Sequence, residues 1–323
     1  MAAFLWRQWA QLGLSTFLVE GRDGWVLDPE ALILCTSEFG RCDPRLFDEM
    51  LDWILKNARF VNFPRLKSLH RRFFADVNPA IVAAVCDTVR SHNKRLNWRM
   101  PAESPLAKEP FFTGGAATKG FGVQDPAFLR YGFTRGPVKL RGLSERFNKV
   151  APECLILRLR ALFGTTARAE IMAYLITHRK AHPSMIASDV GFSQKNINDA
   201  LLDMEASGVV HSGPLTGRVK SYFISPRNHA PFLHLPEVVP RWIHWPHLLS
   251  SLLQIHRNSA LKSGSPIAVA SRLIETTDAI RPKLEHAGLY DCFHDCAEAR
   301  GVDYIAAFCG AVDALFADLN RPS

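Results

Sequence analysis

The chain has 323 residues, 47% of them hydrophobic and 22% charged, with a formal net charge of +8. That balance excludes long disordered or low-complexity tracts, and the length suffices for two or three domains. No apolar run reaches the roughly 18 residues of a membrane-spanning helix, and seven scattered cysteines give no disulfide framework.

The opening MAAFLWRQWAQLGL mixes Arg7 and glutamines into its apolar positions, so it reads as an amphipathic helix rather than a secretory signal. The expectation is a cytoplasmic protein with free thiols and no membrane contact. Its positive charge is concentrated. From Lys119 to Lys220 there are 15 Lys/Arg against 8 Asp/Glu, a local excess of seven, and the remainder is nearly neutral. Such clustering is the electrostatic footprint of a polyanion-binding region.

Residues 1–97 read as a mainly helical domain. Asp28-Pro29 and Asp43-Pro44 each place a side-chain acceptor before a proline suited to the first helical position. The second opens PRLFDEMLDWILKNA, in which Leu46, Met50, Trp53 and Ile54 recur at helical spacing. FPRLKSLHRRFF and NPAIVAAVCDTVRSHNKR continue the pattern, and TFLVE and GWVLD suggest a small hairpin around GRDG. Within the third of these helices, SLHRRFF reads as a solvated basic face.

Residues 98–157 read as a basic, Pro/Gly-containing connector pinned to the body by its phenylalanines, because free loops of this length are uncommon in compact proteins. Its GGAATKG lacks the glycine frame and the Lys-Ser/Thr pair of a phosphate loop, and reads as turn glycine.

Residues 158–227 hold the most readable stretch. GTTARAEIMAYLITHRK gives a first helix, capped by Thr165 or Thr166, with Ile171, Met172, Leu175 and Ile176 inward. HPSMIASDVG gives a short second helix, with Pro183 at its start, Met185, Ile186 and Val190 inward, and Gly191 ending it in the left-handed region. Phe192 plugs the turn and Ser193 caps a third helix, whose Ile197, Ala200, Leu201 and Met204 share one side. Lys195, Asn198 and Asp199 lie opposite, Asn196 toward an edge, and Gln194 in the first turn. Two short strands around GPLTGR follow.

With ARAEIMAYLI, HPSMIASDVGFSQKNINDALLDMEASGVV and GRVKSYFIS as the matching elements, residues 158–225 resemble the winged helix-turn-helix of ArsR/MarR-type bacterial transcriptional regulators. The resemblance covers about a fifth of the chain. It implies a central winged helix-turn-helix with a small β-wing, which, set between the N- and C-terminal regions that read as helical, makes the expected fold mainly α. It also implies double-stranded DNA as partner. Ser193, Gln194, Lys195, Asn196 and Asn198 would lie at the major groove, with Arg218 and Lys220 on the wing. Gln and Asn can pair bidentately with adenine, and Lys can donate to guanine. Asp199 and Asp203, on the outer half of the same helix, would repel a phosphate backbone.

Residues 228–323 return to helix, with Ser265 before Pro266 as a start signal, and are expected to supply a homodimer contact or the site of a small-molecule or protein effector. Cys292, His294 and Cys296, even with Cys309 or His286 added, match no common zinc framework. His244, His247 and His256, set among Trp242 and Trp245, read as packing residues. No nucleophile elbow, paired-carboxylate signature or dinucleotide fingerprint is present, so neither a catalytic residue nor a cofactor is expected. Two other readings compete with the DNA-binding regulator. One is a non-catalytic interaction subunit of a defence or toxin–antitoxin-like system, which a co-purifying protein would reveal. The other is an enzyme with its site in the flanking helices, which a buried polar cleft would reveal.

Overall fold

The computed structural model describes residues 1–14, 24–104, 107–113, 122–214, 220–225, 240–260 and 264–320. The TFLVE half of the expected hairpin, the GGAATKG turn and Arg218 lie outside the described residues. The molecule is mainly helical, and among the described residues no helix is long and apolar enough to cross a membrane.

The N-terminal region packs α1 (Ala2–Gln11), α2 (Pro29–Phe39), α3 (Pro44–Asn57), α4 (Phe63–Phe73) and α5 (Pro79–His92) around a shared core. Local chemistry starts these helices as the sequence predicts. The Asp28 carboxylate accepts from the Ala31 N–H at 3.0 Å, and the Asp43 carboxylate accepts from the Leu46 N–H at 3.1 Å. Each satisfies one of the orphan donors of a helix start. GWVLD contacts more distant parts of the chain. Trp25 bridges to Arg241, and the Leu27 N–H donates to the Glu153 carbonyl at 3.0 Å.

Among its described residues, the connector carries α6 (Pro126–Leu129), the two-residue parallel pair β1 (Glu109–Pro110) and β2 (Phe133–Thr134), and near its end a 3-10 turn, Pro152–Cys154. Its phenylalanines anchor it, as expected. Phe111 packs edge-on against Phe47 of α3 and against Phe128, with ring centroids 4.7 Å apart in both cases. Three of the connector's arginines pair with carboxylates of the N-terminal helices, Arg135 buried and the other two exposed. Arg135 pairs with Asp48 at 2.7 Å, Arg141 with Glu49 at 3.0 Å, and Arg130 with Asp87 at 2.5 Å. These contacts neutralise much of the charge that the sequence concentrates there.

A further helix, α7 (Leu155–Phe163), precedes the expected first helix, which is α8 (Ala167–Thr177). Thr166 occupies the cap position of α8 but its hydroxyl donates back to the Phe163 carbonyl at 3.2 Å instead of capping. Then come α9 (Pro183–Val190), α10 (Gln194–Ala206) and the antiparallel hairpin of β3 (His211–Pro214) and β4 (Lys220–Phe223). The chain closes with α11 (Trp245–Ala260), α12 (Pro266–His286) and α13 (Asp303–Leu319). The Ser265 hydroxyl caps α12 by accepting from the Ala268 N–H at 3.3 Å.

One buried cluster runs from Phe4 to Leu319. Trp245 of α11 donates its indole N–H to the Val26 carbonyl at 2.6 Å and faces Phe4 of α1. The C-terminal helices therefore complete the N-terminal core.

At the centre lies a buried ion network. Arg160 of α7 holds Glu30 through paired bonds of 2.7 and 2.8 Å and meets Glu170 at 2.6 Å. Arg65 of α4 holds Asp28 and Glu30 and donates its Nε–H to the Val190 carbonyl, at the end of α9, at 2.7 Å. Burial pushes the Asp28 carboxyl up, but the Arg65 charge and hydrogen bonds outweigh it and hold it below the usual carboxylate range. Around Glu170 burial prevails over Arg160, and its carboxyl is raised. With each charged group paired and hydrogen-bonded, the network avoids the large cost of a lone buried ion.

Candidate nucleic-acid interface

The α9–α10 unit is built by local rules. Gly191 ends α9 at φ +77, a conformation that costs glycine little and other residues more. A Cβ at that position would stand 3.0 Å from Leu69 of α4, so the turn is held against the N-terminal region by packing as well as by Arg65. The Ser193 hydroxyl then accepts from the Asn196 N–H at 3.2 Å and starts α10. Ile197, Ala200, Leu201 and Met204 are buried, as the periodicity predicts. Met185, expected inward, is 50% exposed. It sits in the first turn of a helix only eight residues long, where Ile186 and Val190 already supply the inward side.

Ser193, Gln194, Lys195, Asn196 and Asn198 are all exposed around the first turn and a half of α10. Among the described residues, the side chains of Gln194, Lys195, Asn196 and Asn198 make no hydrogen bond or ion pair. A helix N-terminus also presents unpaired N–H groups and the positive end of its dipole. The end of α10 is therefore a cationic, donor-rich tip with side-chain amides able to donate and accept.

The acidic side of α10 is partly compensated. Arg168 of α8 meets Asp203 at 2.6 Å, both in solvent. Glu205 accepts from the Ser212 hydroxyl and from Lys220, and these bonds lower its carboxyl below the ordinary value. Lys220, read from the sequence as a wing contact, thus has its ammonium 2.9 Å from Glu205 and 4.8 Å from the Tyr222 ring centroid. A phosphate would have to compete with that carboxylate.

The hairpin is tied to the helices by a bridge. Ala181, between α8 and α9, pairs with Tyr222 through bonds of 3.0 and 2.8 Å. The bridge brings Arg179 and Lys180 beside the hairpin. Both are exposed, and Lys180 stands 5.6 Å from the Phe223 ring centroid. Sequence reading passed over this pair. The signal was present in THRKAHP, a basic dipeptide immediately before the helix pair.

The cysteine pair and the histidines of the C-terminal region complete the picture. Cys292 and Cys296 lie on a 3-10 stretch, Tyr290–Ala297, with the Cys292 thiol donating to Asp318 at 3.2 Å. His244 and His247 meet, but their third neighbour is His286 rather than His256. His256 turns instead to Phe39 and Cys42. Among protein-family models, curated proteins and solved structures, none matches this chain.

Proposed function

We propose that residues 158–225 act as a winged helix-turn-helix, and that the protein is a sequence-specific regulator of transcription that binds double-stranded DNA through the tip of α10. The observation that carries this reading is the set of exposed amides and lysine at that tip, whose side chains no other described residue engages. Gln194 and Asn198 supply paired hydrogen bonds to a base edge, Lys195 serves guanine or phosphate, and Ser193 with the helix N-terminus suits a phosphate. Arg179 and Lys180 add backbone contacts beside the hairpin. The test is duplex binding over a range of salt. Each phosphate neutralised adds roughly −0.9 to the log–log slope, so a flat response or no binding at low salt overturns the reading.

Two-fold readers of DNA bind half-sites about one helical turn apart, and a homodimer fits such use. On α12, Ile267 and Ile274 are 67% and 38% exposed and lie seven residues apart, on one helix face. They are the proposed dimer contact, with light scattering of an Ile267→Lys, Ile274→Lys variant as the check. A small-molecule or protein effector would act by changing the relation of these helices to the helix pair.

A second reading has its own observation. Met185 and Leu202 are 50% and 55% exposed on α9 and α10, and exposed apolar groups beside a polar tip suit a protein partner. A stable complex that buries them, without duplex binding, would favour an interaction subunit.

A further inference from the structure

His244 immediately precedes α11, His247 lies in its first turn, and His286 ends α12. Helix packing brings one ring nitrogen of each within 4.8 Å of the others. The ring centroids are 4.2 Å apart for His244–His247 and 4.8 Å for each of the other pairs. Phe73 of α4 closes one side, edge-on to both His244 and His247. The His286 side chain is 40% exposed, so the group opens to solvent there.

Two features set this trio apart from packed imidazoles. The Nδ1 of His247 is buried and has no hydrogen-bond partner among the described residues, an unfilled position in a group that normally finds one. Behind His286 stands a carboxylate: its Nε2 is 3.1 Å from Asp189 of α9, whose other oxygen accepts from the Tyr174 hydroxyl at 2.8 Å. A carboxylate on the far nitrogen of a histidine is the arrangement that orients metal ligands and raises their basicity.

We propose that His244, His247 and His286 form a site for a divalent transition metal of the zinc class, with the fourth position open to solvent beside His286. Three imidazoles and one open position match the coordination of Zn²⁺ in such sites. Burial and the neighbouring imidazoles push His244 down to about 3 and His247 down to about 4. Zn–N distances of about 2.0–2.1 Å place ligand nitrogens about 3.3 Å apart, so the rings must close by rotation about their side-chain bonds. His244 also gives something up, because its Nδ1 accepts from the His247 N–H at 3.1 Å. The cationic neighbours Arg72 and Lys283 oppose an added ion, and Asp189 offsets them. Since Asp189 lies on α9, occupancy of the site bears directly on the helix pair next to α10.

The test uses the full chain, freed of metal with a chelator and titrated with Co²⁺ and then Zn²⁺. One equivalent per chain is expected, with the visible absorption of four-coordinate Co²⁺ and without thiolate-to-metal bands in the near ultraviolet. His286→Ala removes an exposed ligand, and it is expected to weaken binding at least 100-fold while circular dichroism is retained. Asp189→Asn is expected to weaken it 10–100-fold. Absence of stoichiometric binding in the wild-type chain, thiolate bands, or equal affinity in His286→Ala would each overturn the proposal.

Discussion

Arg130, Arg135 and Arg141 in the connector each end on a carboxylate of α3 or α5, whereas Gln194, Lys195, Asn196 and Asn198 at the tip of α10 end on no partner among the described residues. Both stretches are polar and basic to a reader of the sequence. In the first, polarity is consumed by folding: Arg135 is 2% exposed, with its guanidinium 4.8 Å from the Phe128 ring centroid. In the second, polarity is left over. A polar group already paired within the chain must lose that partner before it can serve another molecule, so the unengaged group is the better guide to function. The same logic ranks Lys220, tied to Glu205, below Lys195.

Substitutions can break this contrast. The largest effect is expected for Arg160→Met, which leaves Glu30 and Glu170 without their shared guanidinium in side-chain surroundings only 0% and 3% exposed. Loss of one partner from a buried ion network costs about 3–5 kcal/mol, to be read from the shift of a urea unfolding midpoint. An unchanged midpoint would mean that the network is not needed by the fold. Next, Gln194→Ala and Asn198→Ala are each expected to lose about 1–3 kcal/mol on a preferred duplex, with the melting temperature unaltered. If neither changes the ratio of preferred to scrambled duplex affinity, the amides are solvated surface and the protein-partner reading moves ahead.

Smaller effects sharpen the comparison. Lys195→Ala is expected to reduce the salt slope of duplex binding by about 0.9, while Lys220→Ala leaves the slope unchanged because its charge already belongs to Glu205. Equal slopes for the two variants would remove the distinction. Arg130→Ala is expected to cost less than about 1 kcal/mol of stability, as its side chain is 64% exposed and its pair with Asp87 is screened. Its duplex affinity should equal that of the wild type, as measured by fluorescence anisotropy.

What the sequence made legible was local. Asp28 before Pro29, Asp43 before Pro44, Ser265 before Pro266, and Gly191 closing α9 all depend on atoms within a few residues, and each is found as expected. The buried stripe of α10 follows from helical spacing alone. Partners far along the chain were not legible. Nothing near Arg160 indicates that Glu30, 130 residues earlier, will receive it. Glu205, which engages Lys220, lies 15 residues earlier on α10. The approach of His286 to His244 and His247 depends on how α12 folds back on α11. The helix α7 straddles the boundary drawn at residue 158, and the only start signal read there, Thr165 or Thr166, belongs to the next helix. In the fold, Arg160 is wholly internal.

The ion network also has a consequence for synthesis. Asp28 and Glu30 leave the ribosome early, but Arg160 follows Glu30 by 130 residues and Val190, the acceptor for Arg65, comes 125 residues after Arg65. At about 5–20 residues per second, Glu30 waits on the order of ten seconds for its second guanidinium. During that interval a nascent N-terminal region holds acidic groups at the place its core must close, and the desolvation of those groups is not yet offset. The first half of the chain therefore completes its folding late, when α7 emerges. A ribosome stalled between residues 100 and 150 would display an N-terminal region open to proteases and chaperones, and release past residue 190 would close it.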